Sequence, residues 1–196
     1  NILLKCCVER PRSFSMSVSP TLNQSRKIYN EIVEATQDSC FFKKKNDSLL
    51  EISFKNHSKI RFASGEQRDA LRGYTISGVL VIDEAAYQSD DLFNLLLPMT
   101  DVCKAPIVMA STPRFRKGFF FDYYMLGLAD NRRTIFSYDI NKYDTSHLLS
   151  NEKLEFYRKT LPANQFKTEY LGQFLDADSM VFGDFSKCIS NSYDEN

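Results

Sequence analysis

The chain has 196 residues, 43% of them apolar, and its 25 Lys and Arg balance its 25 Asp and Glu. That length permits one sizeable core with a small appended subdomain, and the even charge argues against a protein that coats nucleic acid over its whole surface. Five cysteines without a C-x-x-C pair and only two histidines argue against a zinc site, and no signal peptide or bilayer-spanning run is visible, so we expect a soluble intracellular protein without membrane contact.

The first segment predicts a helix, a strand and a second helix. Residues 2–8 form the end of an apolar helix pattern. Residues 13–19 alternate strictly between apolar side chains and serines, which predicts a strand that Pro20 closes. Thr21 can cap the helix whose apolar spacing continues to about residue 36.

Short strand patterns follow. The pieces at 41–42, 49–54 and 59–63 are typical of a meander or a pair of hairpins. The three lysines at 43–45 favour a solvated turn, with a phosphate-contacting tip as the alternative. Residues 66–71 indicate a short helix or an ordered loop.

Two continuous apolar runs then flank a helix pattern. The runs at 79–82 and 106–110 are typical of parallel strands covered on both faces, and residues 91–97 between them predict a helix. Strand, helix, strand, helix and strand in succession predict an α/β layered fold.

Beyond Pro113 the sequence is rich in aromatic residues. Residues 119–126 predict a helix and residues 134–138 a strand. Residues 151–160 and 163–171 predict two further helices, which Pro162 separates.

The most informative stretch is V-L-V-I-D-E-A-A at residues 79–86, where an apolar run ends in Asp83 and Glu84. This is the pattern of a Walker B segment, in which a buried strand delivers an Asp to a nucleotide-bound Mg²⁺ and the next Glu polarises the attacking water. The alternative is a strand that simply emerges into a solvated loop. No G-x-x-x-x-G-K-[ST] loop occurs in these residues, so the pattern accounts for only half of an ATP site.

A pair of hydroxyl side chains ends the next apolar run. Ser111 and Thr112 follow the strand pattern at 106–110. Because the carboxyl ends of parallel strands meet at one edge of a sheet, these hydroxyls can lie beside Asp83 and Glu84, where they would sense a γ-phosphate or orient water. The alternative is a strand cap before the Pro113 turn.

Two other segments carry weaker signals. Arg72, followed by a glycine, and Arg68 lie in a loop-like segment before the Walker B pattern, where an arginine can stabilise charge on a transferred phosphoryl group; most arginines have no such role. Ser19-Pro20-Thr21 opens a helix directly after a strand. Its hydroxyls and amides could contact a nucleic-acid phosphate, and a plain helix cap explains them equally well.

Together these motifs resemble the large terminase subunit of tailed bacteriophages. The resemblance rests on five segments, which are V-S-P-T with Gln24, L-R-G at 71–73, V-L-V-I-D-E-A-A, A-S-T-P at 110–113, and Q-F-K-T-E-Y-L-G-Q-F at 165–174, followed by Val181-Phe182. It covers nearly the whole chain, and the F-x-x-E-Y-L-x-x-F segment is the part most specific to terminases. The resemblance implies a P-loop NTPase fold (RecA-like, ASCE) with a mostly parallel sheet flanked by helices and a small C-terminal lid subdomain.

The same resemblance implies a motor ATPase that uses ATP and Mg²⁺ to translocate double-stranded viral DNA into a procapsid. Its partners would be the portal protein, the small terminase subunit and further copies of itself in a ring, in the cytoplasm of the infected bacterial host. Asp83 would hold Mg²⁺ through the metal's water shell, and Glu84 would be the catalytic base. Ser111 and Thr112 would form the coupling motif, and Arg72 resembles the arginine that such rings offer to a neighbour's ATP.

The resemblance also divides the chain. Residues 1–175 correspond to the ATPase domain, with a lid at about 130–175, and residues 176–196 to a linker toward a nuclease domain. We expect the phosphate-binding loop directly before Asn1, because residues 2–8 resemble the helix that this loop opens, and we expect the 196 residues alone to bind ATP weakly or not at all. The remaining alternatives are a helicase-like nucleic-acid translocase and a non-catalytic interaction module that has kept the sheet.

Overall fold

The computed structural model describes residues 2–129, 134–139 and 149–176, and the chain forms two compact units whose boundary in the sequence falls between Ser111 and Thr112. The first unit is an α/β layer structure, and the described part of the second is helical. None of the helices in these ranges combines the length and the hydrophobicity that crossing a membrane requires.

A six-stranded, mostly parallel sheet organises the first unit, in the order β2-β3-β4-β1-β5-β6. The strands are β1 (Phe14–Ser19), β2 (Phe42–Asn46), β3 (Glu51–Phe54), β4 (Lys59–Ser64), β5 (Leu80–Asp83) and β6 (Ile107–Ala110). β4, β1, β5 and β6 are parallel neighbours, whereas β3 is antiparallel to both β2 and β4. The carboxyl ends of four adjacent strands therefore meet at one edge, and the predicted α/β fold is confirmed.

Three helices accompany this sheet: α1 (Ile2–Glu9), α2 (Leu22–Thr36) and α3 (Asp90–Asp101). The connection from β1 through α2 to β4 moves along the sheet in one direction, and the connection from β5 through α3 to β6 moves in the other. Since such connections are right-handed, α2 and α3 lie on opposite faces. α2 begins as predicted at Thr21, which forms a capping box with Gln24.

The serine face of β1 is buried against α1 and α2. Ser17 is in register with Phe62 of β4, whose ring packs edge-on against Tyr29 of α2 at 5.8 Å between centroids. Ser15 donates a hydrogen bond to the sulfur of Cys6 in α1 and accepts one from the Val79 amide. Both faces of β1 are therefore interior, and Ser15 exchanges hydrogen bonds where an apolar side chain would only pack.

Three predictions for this unit need correction. The lysines at 43–45 lie on β2, an exposed edge strand rather than a turn, and such charges on an edge oppose pairing with other chains. β6 is the opposite edge strand and is only half-buried, so it is not covered on both faces as expected. α3 continues through Pro98, because Met99 and Thr100 of its last turn are buried.

The second unit contains α4 (Phe119–Ala129), α5 (Asn151–Thr160) and α6 (Ala163–Glu169), which confirms the three predicted helices there. Phe174 packs its ring against three aromatic side chains of α4, at centroid distances of 5.0 to 6.0 Å, from Phe120, Phe121 and Tyr124. Tyr157 of α5 stacks on Tyr170 at 4.8 Å. Aromatic side chains of the terminase-like segment thus contact both α4 and α5.

One prediction in this unit is wrong, and another falls outside the described residues. Residues 134–139 form no strand; Phe136 and Tyr138 are exposed, and nothing in the described ranges pairs with them as a neighbouring strand. The predicted linker at 176–196, with Val181-Phe182, lies outside the described residues except for Asp176. The predicted lid boundary near residue 130 stays a prediction.

Candidate functional site

Asp83 and Glu84 lie at the carboxyl edge of the sheet, as the sequence predicted. Asp83 is the last residue of β5 and is in register with Ala110 of β6, while its backbone carbonyl accepts a hydrogen bond from the Gln88 side chain at 3.4 Å. Both carboxylate residues are half-buried. The chain direction of β5 therefore brings two acidic side chains to the position where ligands of parallel sheets bind.

Glu84 has a left-handed backbone conformation, with φ 47° and ψ 48°. Such a conformation is unfavourable for a residue with a long side chain and persists only where the surroundings enforce it. Here Tyr87 donates a backbone hydrogen bond to the Glu84 carbonyl at 2.9 Å, which opens the 3₁₀ turn Ala85–Tyr87. The turn fixes the direction in which the Glu84 side chain leaves the strand.

Ser111 binds the Glu84 carboxylate. Its Oγ donates a hydrogen bond to Glu84 Oε2 at 3.2 Å and accepts one from the Ala86 amide at 3.1 Å. The structure thus joins two predicted site residues that lie 27 positions apart. Since a carboxylate has about four lone-pair positions, this contact orients Glu84 and leaves it able to accept a proton from water.

The arginines lie on the surface. Arg72 follows the 3₁₀ segment Gly65–Leu71, its side chain is 70% exposed, and its Nε contacts Asp69 Oδ1 at 3.4 Å. Gly73 has φ 87°, a left-handed conformation that glycine adopts without strain. Arg68 pairs with Asp91 at the start of α3. Neither guanidinium hydrogen-bonds Asp83 or Glu84 in the described part of the chain, so a role for Arg72 toward a neighbouring subunit stays a prediction.

The remaining predicted residues have structural explanations or lie elsewhere. The Thr21 hydroxyl accepts from the Gln24 amide at 3.3 Å, and the Gln24 side chain accepts from the Thr21 amide at 3.1 Å, so this segment is a helix cap. Thr112 belongs to the second unit, and its place in the site stays a prediction.

Sequence reasoning missed one polar group at this edge, the hydroxyl of Ser19. Ser19 ends β1, is completely buried, and its Oγ has no hydrogen-bond partner among the described residues. The serine alternation of β1 was visible in the sequence, but the burial of its polar face and the neighbours of Ser19 depend on strand register. A pattern of buried serines in a central strand is the signal that could have drawn attention to it.

These groups fit a nucleotide-bound Mg²⁺ better than a metal held by protein alone. The described residues contain no cluster of three or more His, Cys, Asp or Glu that could bind a metal. Mg²⁺ beside a nucleotide needs only one or two carboxylates, because phosphates and water complete its shell. A half-buried Asp83 at the carboxyl edge of the sheet meets that requirement.

Solved structures with the same fold include a phage large terminase ATPase domain and phage large terminases. The large terminase ATPase domain of Thermus phage P74-26 matches with a TM-score of 0.67 and 18% identity, over 86% of this chain and 79% of that one. A large terminase from a second, thermophilic bacteriophage matches with a TM-score of 0.66 and 16% identity, over 88% of this chain and 43% of that one. The HK97 bacteriophage large terminase matches with a TM-score of 0.66 and 11% identity, over 83% of this chain and 40% of that one.

Structures of this second phage's large terminase in complex with ADP and with ATP-γ-S also match, with TM-scores of 0.62 and 0.64. No protein family model and no curated protein sequence matches this chain. At 11 to 18% identity the likeness is one of fold, and at that level it confirms the predicted resemblance to terminase ATPase domains. The chain spans about two fifths of the length of the second phage's large terminase and of the HK97 large terminase.

Proposed function

We propose that this chain is the ATPase part of a terminase large subunit, which hydrolyses ATP to drive double-stranded viral DNA into a procapsid. The observation that carries the proposal is Glu84, held in a left-handed conformation and oriented by Ser111 beside Asp83. A structural carboxylate at a strand end has no need of a strained backbone or of a dedicated hydroxyl. An oriented carboxylate suits a base that must face one water molecule, and strained backbone conformations cluster at functional sites.

Each residue has a separate role in this proposal. Asp83 binds the water shell of Mg²⁺, and the ion, when bound, neutralises charge on the phosphates. Glu84 accepts the proton of the attacking water. Ser111 keeps the Glu84 carboxylate in place and, with Thr112, communicates the state of the site to the rest of the molecule. Arg72, whose guanidinium is exposed, acts on the ATP of a neighbouring subunit in the ring.

The direction of α1 supports a phosphate site at the same edge. Its last turn lies at the amino edge of the sheet, where the Cys7 carbonyl accepts a hydrogen bond from Asn56 in the turn before β4. Eight helical residues span about 12 Å, so the first turn of α1 extends toward the carboxyl edge where Asp83 lies. The dipole of a helix that runs in this direction favours an anion such as phosphate on the carboxyl side of the sheet.

The partners and surroundings follow from the same proposal. They are double-stranded DNA, the portal protein, the small terminase subunit and a homo-oligomeric ring docked on the procapsid in the host cytoplasm. The cofactors are ATP and Mg²⁺. Because residues 1–196 contain no G-x-x-x-x-G-K-[ST] loop, we expect them alone to bind ATP weakly and to be inactive, so that activity belongs to the natural full-length protein.

The test is Glu84→Gln in the natural full-length protein. Glutamine keeps the shape and the hydrogen bond from Ser111 but cannot accept a proton, so ATP binding should be unchanged and turnover should fall about 10²- to 10⁴-fold. ATP binding is measured by calorimetry and turnover by phosphate release. Glu34→Gln, an exposed change on α2, is the matched control and should leave both unchanged. Wild-type turnover in Glu84→Gln would disprove the assignment of the base.

A further inference from the structure

Three contacts hold Tyr74, which lies in the connection between the 3₁₀ segment Gly65–Leu71 and β5. Its ring stacks on Phe14 of β1, with ring centroids 5.5 Å apart and an angle of 16° between the planes. Its hydroxyl accepts a hydrogen bond from Arg61 of β4, and the same guanidinium lies 4.7 Å from the centre of the Tyr74 ring. Tyr74 is therefore held against two neighbouring strands of the sheet.

Arg61 is a charged residue on a face of the sheet that is otherwise apolar beside it. It is in register with the completely buried Met16 of β1, and residues in register on parallel strands point to the same face. Glu51 of β3 lies opposite Arg61 and forms an ion pair with Lys59. A charge in a half-buried position is costly unless a partner compensates it, and Tyr74 offers both a hydroxyl acceptor and a ring face. The pair thus connects β4 to the chain that leads into β5.

The anchored tyrosine restrains Arg72. Arg72 and Tyr74 are two positions apart, so their Cα atoms are separated by about 7 Å at most, and Gly73 between them turns the chain at φ 87°. On the other side of Arg72, Leu71 is buried. The ion pair of Arg72 with the exposed Asp69 is a surface contact of a kind that contributes little, so the backbone on both sides determines where the guanidinium points.

We infer that Tyr74, held by Arg61 and Phe14, is a positioning residue that fixes the direction in which Arg72 reaches the ATP of a neighbouring subunit. The inference rests on the proposed ATPase function. An arginine supplied to a transferred phosphoryl group is worth about 10³- to 10⁵-fold in rate, and a misplacement of about 1 Å can cost about 10²-fold. The ring stack and the hydrogen bond supply the necessary restraint from the strands of the sheet.

The first test measures ATP turnover of the natural full-length protein assembled on procapsids with DNA. Tyr74→Phe keeps the stack but loses the hydrogen bond and should lower kcat about 3- to 10-fold. Tyr74→Ala loses both contacts and should lower kcat about 10- to 100-fold, with KM for ATP unchanged because the variant's own nucleotide site is intact. In an Arg72→Ala background, Tyr74→Ala should cause no further loss, since both changes act through the same guanidinium.

Phe41→Ala is the matched control. Phe41 is also half-buried, and its ring stacks on Phe54 with centroids 4.8 Å apart, but it lies directly before the edge strand β2. The control should lower the thermal midpoint and leave kcat unchanged at temperatures where the variant is folded. It separates the loss of a packed ring from the loss of a correctly placed Arg72.

The second test mixes variant subunits, because a residue that acts on a neighbour can be replaced by that neighbour's own copy. Glu84→Gln subunits lack the base but retain Tyr74 and Arg72, whereas Tyr74→Ala subunits retain the base. In an equal random mixture the base of one variant meets the arginine of the other at roughly a quarter of the sites, so turnover should rise to roughly a quarter of the wild-type value. The mixture of Arg72→Ala with Glu84→Gln is the reference and should recover to the same extent.

The outcomes separate this inference from the proposed function. Wild-type kcat in both Tyr74 variants overturns the inference, and so does a Tyr74→Ala mixture that stays slow while the Arg72→Ala mixture recovers; either result leaves the ATPase proposal intact. If Tyr74→Ala does not fold, turnover per Tyr74→Phe subunit should rise when Glu84→Gln subunits are added, and no rise overturns the inference. Two slow mixtures beside a normal wild type overturn the action of Arg72 on a neighbour and the inference with it. A wild-type protein that does not hydrolyse ATP overturns the proposed function as well.

Discussion

The backbone strain at Glu84 can be measured without any assumption about function, by comparing Glu84→Gly with Glu84→Ala. Both variants lose the hydrogen bond from Ser111, so the difference between them isolates the backbone. At φ 47° and ψ 48° an L-residue is disfavoured by roughly 1 to 2 kcal/mol. Glycine lacks that penalty, although its greater freedom in the unfolded chain offsets about 0.4 to 1 kcal/mol of the gain.

We therefore expect Glu84→Gly to be more stable than Glu84→Ala by about 0.5 to 1 kcal/mol. The assay is urea unfolding followed by far-UV circular dichroism and by tyrosine fluorescence, since the chain has ten Tyr and no Trp. The two variants should have equal m-values, so that the midpoints compare directly.

Ala86→Gly is the control, in which glycine should change the stability of the protein in the opposite direction. Ala86 lies inside the adjacent 3₁₀ turn, where the backbone has ordinary negative φ, so glycine should destabilise the protein by about 0.5 to 1 kcal/mol. If alanine at position 84 proves as stable as glycine or more so, while Ala86→Gly behaves as expected, the reasoning about strain at Glu84 is refuted.

Two further predictions concern Ser111 and the cysteines. Ser111→Ala should lower ATP turnover in the full-length protein about 10- to 100-fold with little effect on ATP affinity, because the Glu84 carboxylate loses a hydrogen bond worth about 1.5 to 3 kcal/mol; turnover equal to the wild type would show that Glu84 needs no such contact. Burial raises the pKa of the Cys7 thiol to about 11, so at pH 8 only about 10⁻³ of it is thiolate. A thiol reagent should then label exposed Cys40 and Cys103 long before Cys7, as read by mass spectrometry of each site; fast native labelling of Cys7 would contradict its burial.

Local sequence patterns predicted most helices and strands correctly, but they could not predict which strands pair over long distances in the sequence. The cap at Thr21 and the helix Asn151–Thr160 are encoded by neighbouring residues, and both were predicted correctly. The lysines at 43–45 were assigned to a turn because nothing local reveals that β3 pairs with them. Residues 134–138 alternate like a strand, but alternation without a neighbouring strand does not form one.

In the candidate site, too, the sequence predicted features that depend on neighbouring residues but not those that depend on how strands pair. D-E after an apolar run was enough to predict Asp83 and Glu84 at the end of a strand. Their arrangement was not predictable, because D-E-A-A contains no glycine to indicate a left-handed residue, and the contact from Ser111 depends on the register of β5 and β6. The sequence identified which side chains could act, and the sheet determines which of them meet.

Buried polar atoms without a hydrogen bond and left-handed backbone at residues other than glycine are both unfavourable. Two such features, at Ser19 and Glu84, lie at the carboxyl edge of the sheet. Of the other two buried polar atoms without a hydrogen bond, Arg61 Nε belongs to a guanidinium that donates to the Tyr74 hydroxyl and lies 4.7 Å from the Tyr74 ring centre, and Ser13 Oγ lies directly before β1. Ser19 Oγ is the third such atom among the described residues. Ser19 ends the strand beside the one that delivers Glu84, the strained residue of the site. Left-handed backbone also occurs at Arg12, Leu50, His57 and Lys104, so what distinguishes Glu84 is the hydrogen bond from Ser111 beside Asp83, and that contact favours a ligand at this edge over a purely structural strand end.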